Sequence, residues 1–152
     1  MVNTKDKQEH IGRLVRNIYN AVLDESHREL TQDGYPELDG SYSVVFQYIG
    51  DGARATDIAA QGHTSKQNVK YLLEVMEKKG FVQRKQDSTD GRAWIFELTK
   101  SGAEYKSRGL EIISELEKKW AAAIGERTYE RLKKDLVLLN EHINEIRNTN
   151  KS

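Results

Sequence analysis

From Thr64 to Tyr71 the chain reads Thr-Ser-Lys-Gln-Asn-Val-Lys-Tyr, a run dense in groups that hydrogen-bond to the edges of flat partners. Gln67 and Asn68 each offer a donor and an acceptor side by side, the arrangement needed to pair bidentately with adenine. Lys66 and Lys70 present charges suited to guanine or phosphate. Thr64 or Ser65 is placed to cap a helix, and the free N–H groups at such an end favour a phosphate oxygen. A second basic group follows: Arg84 and Lys85, then Asp90-Gly91-Arg92. An arginine on a flexible tip gains from the negative potential of a narrow minor groove. Asp90 is close enough in sequence to pair with Arg92 and fix it beforehand. The residues expected to face DNA are therefore Thr64, Ser65, Lys66, Gln67, Asn68, Lys70 and Tyr71 on a helix, and Arg84, Lys85, Asp90 and Arg92 on a turn.

Other chemistries find little support. The absence of cysteine excludes disulfides, thiolate metal sites and thiol redox sensing. His10, His27, His63 and His142 are far apart and form no closely spaced ligand set, so no metal is expected. Gly50-Asp51-Gly52-Ala53 lacks the Lys-Ser/Thr of a phosphate loop and reads as a turn. No nucleophile motif or carboxylate pair appears, so neither catalytic residues nor a cofactor are expected. The aromatics Tyr19, Tyr35, Tyr42, Tyr48 and Trp120 either pack a core or line a pocket for a small effector; of these, Tyr19, Tyr42, Tyr48 and Trp120 are the pocket candidates.

The bulk numbers fit a folded, highly solvated chain. It has 152 residues, the length of one domain, with 37% hydrophobic and 32% charged residues. Net charge is zero, but its distribution is not even. Residues 1–53 carry 5 basic against 9 acidic side chains, residues 54–100 carry 9 against 6, and residues 101–152 carry 10 against 9. DNA affinity depends on local charge facing phosphates, and the middle is the basic part. The opening MVNTKDKQEH is polar and unlike a signal peptide. No stretch approaches the roughly 20 apolar residues of a membrane span. A cytoplasmic protein without a membrane partner is expected.

The elements that must hold these side chains follow from spacing. Ile11, Leu14, Val15, Ile18, Val22 and Leu23 form one helical face, predicting a helix from about Asp6 to about Thr31, roughly 40 Å long. Gln32–Gly40, with the only proline, reads as a loop. Ser41–Ile49 reads as a short helix buried through Val44, Val45 and Tyr48. Thr56 is a candidate cap for a helix over Asp57–Gln61 that Gly62 ends. The next helix runs to Lys79, burying Val69, Leu72, Leu73 and Met76, and Gly80 stops it. Two short helices around a glycine turn make a helix-turn-helix. Phe81–Gln86 and Ala93–Leu98 read as strands around Asp-Gly, a hairpin signal. Leu110, Ile113, Leu116, Trp120 and Ile124 then share a helical face until Gly125. Tyr129, Leu132, Leu136, Leu139, Ile143 and Ile146 follow as a heptad seam, with Asn148–Ser152 expected to fray.

The stretch from about Tyr42 to Gly102 resembles the winged helix domain of the MarR family of bacterial regulators. The residues carrying the resemblance are Ala53-Arg54-Ala55-Thr56-Asp57-Ile58-Ala59, Thr64–Tyr71, Leu72–Val82, Asp90-Gly91-Arg92 and Phe96-Glu97-Leu98-Thr99-Lys100-Ser101-Gly102. The resemblance implies a two-fold dimer with recognition helices in successive major grooves of a pseudo-palindrome and wings in the minor grooves. It also implies repression relieved by a small ligand. Without cysteine, the peroxide-sensing subgroup of that family is an unsuitable home.

The fold expected is mainly α with a small β-hairpin wing: one domain over 1–152, a winged helix-turn-helix core at about 41–100, and dimerisation helices at about 5–32 and 101–147. The function expected is a sequence-specific regulator of transcription, probing double-stranded DNA as a homodimer and released as a repressor by a small-molecule effector. The alternative is a protein-interaction module that uses the winged helix as a docking surface.

Overall fold

Apolar spacing becomes six helices and one hairpin in the computed structural model, which describes residues 10–150. The described elements are α1 (Ile11–Gln32), α2 (Ser43–Tyr48), α3 (Ala55–Gln61), α4 (Lys66–Lys78), β1 (Val82–Gln86), β2 (Trp94–Leu98), α5 (Lys100–Ile124) and α6 (Glu126–Thr149). The fold is mainly α, with a two-stranded antiparallel sheet as its β content. Two compact units divide it, one ending at Ile112 and one beginning at Ile113.

The first unit contains the helix-turn-helix and the hairpin. Its core takes Val45 and Ile49 from the α2 segment, Ile58 from α3, and Val69, Leu72, Leu73 and Met76 from α4. Those four α4 residues are the ones helical spacing placed inside. Ser65 caps α4, its Oγ accepting the Asn68 N–H at 3.0 Å. Beyond α4, Gly80 takes φ +78°, a left-handed conformation that glycine adopts without penalty. Val82 pairs with Leu98 and Gln86 with Trp94, which sets the hairpin register. Ala53 adds a bridge to Phe96, its N–H and C=O bonding to Phe96 at 2.9 and 2.8 Å.

Three of the expectations shift. Thr56 lies inside α3 and does not cap it. The bridge to Phe96 holds the chain extended, so Arg54 is the N-cap and the helix begins at Ala55. Within the segment expected as a loop, Asp39 accepts the Ser41 N–H at 2.8 Å and starts a 3-10 turn over Gly40–Tyr42, so α2 begins at Ser43. On α5, Leu110 is 57% exposed; the buried positions in the first unit are Gly102, Tyr105 and Ile112. That stripe is fixed by an aromatic cluster, in which the Tyr105 ring lies 4.8 Å from Phe81, 5.0 Å from Phe46 and 5.4 Å from Tyr35.

The entry to α5 explains why Leu98-Thr99-x-x-Gly102 carries information. The Thr99 N–H donates to the Phe81 carbonyl at 3.0 Å, and its hydroxyl donates to the Gly80 carbonyl. The same hydroxyl oxygen accepts the Gly102 N–H at 3.1 Å. One threonine thus joins the end of α4 to the start of α5.

On α1, Ile11, Leu14, Val15, Ile18 and Tyr19 are exposed, whereas Leu30 is buried. The part of this helix expected before Ile11, from about Asp6, lies outside the described residues. In the second unit Leu116 and Tyr129 are buried, and Lys133 lies over the Tyr129 ring while pairing with Glu117 at 2.9 Å. Gly125, at φ +95°, breaks the chain between α5 and α6. Along α6, Leu132, Leu139 and Ile146 of the seam are exposed, and Leu136 and Ile143 are half-buried. The helix persists to Thr149, past the Asn148 at which fraying was expected; Lys151 and Ser152 lie outside the described residues.

Candidate nucleic-acid interface

Burying Val69, Leu72, Leu73 and Met76 turns the opposite side of α4 to solvent. Ser65, Lys66, Gln67, Asn68, Lys70 and Tyr71 are all exposed there. Thr64 is half-buried, and its Oγ1 accepts one N–H of the Asn68 amide at 3.2 Å. That bond orients the Asn68 side chain and leaves its carbonyl and second N–H for a partner. Ser65 uses an acceptor lone pair for the cap and keeps its own O–H to donate. Tyr71 is 61% exposed, unusual for so large a ring. Gln67, Lys66 and Lys70 form no side-chain hydrogen bond or ion pair among the described residues.

The basic hairpin residues divide into two groups. The Arg84 guanidinium grips the Glu77 carboxylate of α4, with Nε at 2.9 and 3.1 Å from its two oxygens, and lies 5.7 and 5.5 Å from the Trp94 and Phe96 rings. The hydrogen bond from Arg84 holds the Glu77 carboxyl below its usual range. Lys85 donates to Glu97 across the hairpin at 2.6 Å, and Gln83 bonds the same carboxylate at 3.0 Å. Arg84 and Lys85 are thus engaged within the domain. Arg92, by contrast, is exposed and in no ion pair among the described residues.

Asp90 does not pair with the Arg92 guanidinium. Its Oδ1 accepts the Arg92 backbone N–H at 3.1 Å, and its carbonyl accepts the Ala93 N–H at 2.9 Å. It shapes the turn that carries Arg92. Short-range Asx geometry satisfies the backbone donor and leaves the guanidinium turned to solvent.

Asp87, not singled out from sequence, completes the hairpin through Thr89 and Arg54. Asp87 is 9% exposed. Its Oδ1 accepts the Thr89 N–H and hydroxyl at 2.9 and 2.8 Å, and its Oδ2 accepts Arg54 Nε at 2.8 Å. The Thr89 bonds foremost, and then Arg54, hold the Asp87 carboxyl down at about 2. Asp87 followed two residues later by Thr89 signals a local turn, but nothing in the sequence ties it to a residue 33 positions earlier.

The aromatic candidates are scattered. Tyr42 is 8% exposed and belongs to the core. Tyr19 is exposed, its hydroxyl 3.0 Å from Ser43 Oγ, and Tyr48 packs half-buried against the core. Trp120 lies in the second unit and is half-buried. An open depression of about 490 Å³ in the first unit is lined by Gly50, Asp51, Glu97, Leu98, Lys106 and Leu110 among others, and by none of Tyr19, Tyr42 or Tyr48. Among the described residues no group of three or more His, Cys, Asp or Glu is placed to hold a metal ion, and no helix is long and apolar enough to cross a membrane.

Comparison with known proteins adds a likeness over part of the chain and a fold over most of it. Residues 45–93 match the model of the MarR family. A comparison with curated protein sequences finds no match. Among solved structures, a crystal structure of MarR matches with a TM-score of 0.81 at 22% identity, covering 93% of this chain and 96% of that one. The transcriptional repressor CouR, bound to a 23-mer DNA duplex, matches at 0.70 and 19% identity, covering 86% and 92%. An S. aureus MepR–DNA complex matches at 0.68 and 22% identity, covering 88% and 98%. These likenesses establish the fold over nearly the whole described chain. The chain therefore has the winged-helix fold of these structures, and its residues 45–93 are similar to the MarR family.

Proposed function

We propose that this chain is a sequence-specific, double-stranded DNA-binding regulator of transcription. The observation that carries the reading is the exposed row Ser65, Lys66, Gln67, Asn68, Lys70 and Tyr71 on a capped helix, followed by a turn that presents Arg92. Such a row enters a major groove, and an arginine on a hairpin enters the adjacent minor groove. The relatives solved on DNA, CouR and MepR, support the same reading. Here Gln67 and Asn68 read base edges, Lys66 and Lys70 hold phosphates or guanine, and Arg92 reads groove shape and charge. Arg84 and Lys85 act from inside the wing, through Glu77 and Glu97.

The exposed apolar rows on α1 and α6 support a homodimer. A two-fold dimer spaces its half-sites by about one helical turn, roughly 34 Å, on a pseudo-palindromic operator. Repression relieved by a small effector completes the reading. An effector acts by binding better to the form whose recognition helices are wrongly spaced. Tyr19, Tyr42 and Tyr48 remain proposed effector residues in the first unit, and Trp120 in the second.

The test is to enrich duplexes from a random-sequence pool with the purified protein and titrate them by fluorescence anisotropy at several salt concentrations. Tight, salt-dependent binding to a shared two-fold motif is expected. A pool that yields no motif, with no binding at low salt, overturns the reading and favours a protein-docking winged helix.

A further inference from the structure

We propose that Arg54 is a positioning residue that latches the hairpin tip to the helix-turn-helix and so sets where Arg92 points. This rests on the DNA-binding reading above and deepens it.

The hairpin is attached to the rest of the domain at several levels. At its root, Ala53 and Phe96 exchange two backbone hydrogen bonds. Midway, Arg84 grips Glu77 of α4. The outermost tie is Arg54 with Asp87, at the first residue of the turn Asp87–Arg92. Arg54 is itself fixed, because as N-cap of α3 its carbonyl accepts the N–H groups of Asp57 and Ile58 at 3.0 and 3.2 Å. Asp87 in turn organises the tip. Its Oδ1 gathers Thr89, and its N–H donates to the Ala93 carbonyl at 3.0 Å, closing the turn around Arg92. The division of labour between the two oxygens is informative: one builds the turn and the other ties that turn to α3.

The same geometry argues against Arg54 as a phosphate contact. Its charge faces Asp87 first, and Asp90 and Asp57 add weaker attractions. A guanidinium among three carboxylates has little positive field left to offer. An ordered turn also lowers the entropy lost when Arg92 enters a groove, the general gain from preorganisation. In the sequence Arg54 stands in the basic middle segment and in the stretch that resembles the MarR family, without a role of its own; in the fold its role is mechanical.

Two substitutions separate this role from plain electrostatics. Asp87→Asn keeps an acceptor for Thr89, removes one negative charge near the DNA surface and weakens the tie. Arg54→Lys keeps the charge but loses the planar pair of donors, Nε and Nη2, that together hold the Asp87 Oδ2. If charge alone mattered, Asp87→Asn would tighten DNA binding and Arg54→Lys would change nothing. The latch requires the opposite: each variant weakens binding to the enriched duplex by about fivefold, within the range of couplings between groups that share a network. It also requires that the loss shrink below about twofold in an Arg92→Ala background, because the latch acts through Arg92.

The full-length protein and each variant are titrated with the labelled duplex, and each is melted by circular dichroism at the same time. Weakening by both variants that vanishes with Arg92→Ala supports the latch. Unchanged or tighter binding by Asp87→Asn overturns it, as does a loss that persists undiminished in the Arg92→Ala background. Should Asp87→Asn melt below the assay temperature, Arg54→Lys alone carries the same cycle. Failure of the unsubstituted protein to enrich any duplex overturns the DNA-binding reading itself, a result distinct from failure of the latch.

Discussion

Gly102 lies so close to Phe81 that a Cβ on it would stand 2.0 Å from the Phe81 carbonyl oxygen. The obstacle is backbone, and that carbonyl is held in place by the Thr99 N–H. Gly102→Ala must therefore push α5 away from the end of α4 and loosen the Thr99 ties. A loss of about 1–3 kcal/mol in unfolding free energy is expected, the usual range for overpacking. Urea denaturation measures it. A midpoint equal to that of the unsubstituted chain would mean that α5 is free to slide.

Acid should unlatch the hairpin. The folded-state carboxyl of Asp87 is depressed to about 2, below its ordinary value of 3.8. A depressed carboxyl contributes stability that is complete above the ordinary value and is lost as pH falls towards the folded one. The stabilising share of Asp87 is therefore intact at pH 5 and above and fades between about pH 4 and pH 2. Asp87→Asn should be less stable at neutral pH, with a shallower decline through that window. Parallel pH profiles for the two proteins would remove Asp87 as the cause.

Free and engaged cations should separate in a salt titration. Arg92 is exposed without an ion-pair partner among the described residues, whereas Lys85 donates to Glu97 at 2.6 Å. Arg92→Ala should flatten the plot of log affinity against log salt by about one unit. Lys85→Ala should leave the slope nearly unchanged. Equal slopes for the two variants would place Lys85 on the phosphates after all.

Base reading is expected to centre on Gln67, the exposed second residue of α4, whose amide forms no hydrogen bond among the described residues. Gln67→Ala should relax preference at one base pair per half-site, at a cost of about 1–3 kcal/mol on the preferred sequence. Binding to scrambled duplex should stay the same. Equal losses on both duplexes would make Gln67 a backbone contact.

Periodicity revealed what is local. The four buried residues of α4, its serine cap, the glycine stop and the hairpin around Asp-Gly each follow from residues within one or two turns of each other. What failed to show is long-range. Helical spacing puts Leu110 on one face with Ile113 and Leu116; Leu116 is buried, but in the first unit the packing of Tyr105 on Phe46 and Phe81 turns Tyr105 and Ile112 inward and leaves Leu110 exposed. Thr56 has the right chemistry for a cap, yet a backbone bridge to Phe96 starts the helix earlier. The candidate site divides in the same way. The exposed row of α4 follows directly from which residues are buried. The engagement of Arg84 by Glu77 and of Lys85 by Glu97 depends on the hairpin register and on how it packs, and basic residues look alike in a sequence whatever they face.

The internal pairing of Arg54, Arg84 and Lys85 has a kinetic consequence. Every cation matched inside the domain is one fewer that clings to arbitrary phosphates, and the chain as a whole carries no net charge. A DNA-binding protein built this way holds random sequence briefly and depends on base contacts to stay anywhere. On the DNA-binding reading proposed above, its search along DNA is then governed by short visits and rapid departure.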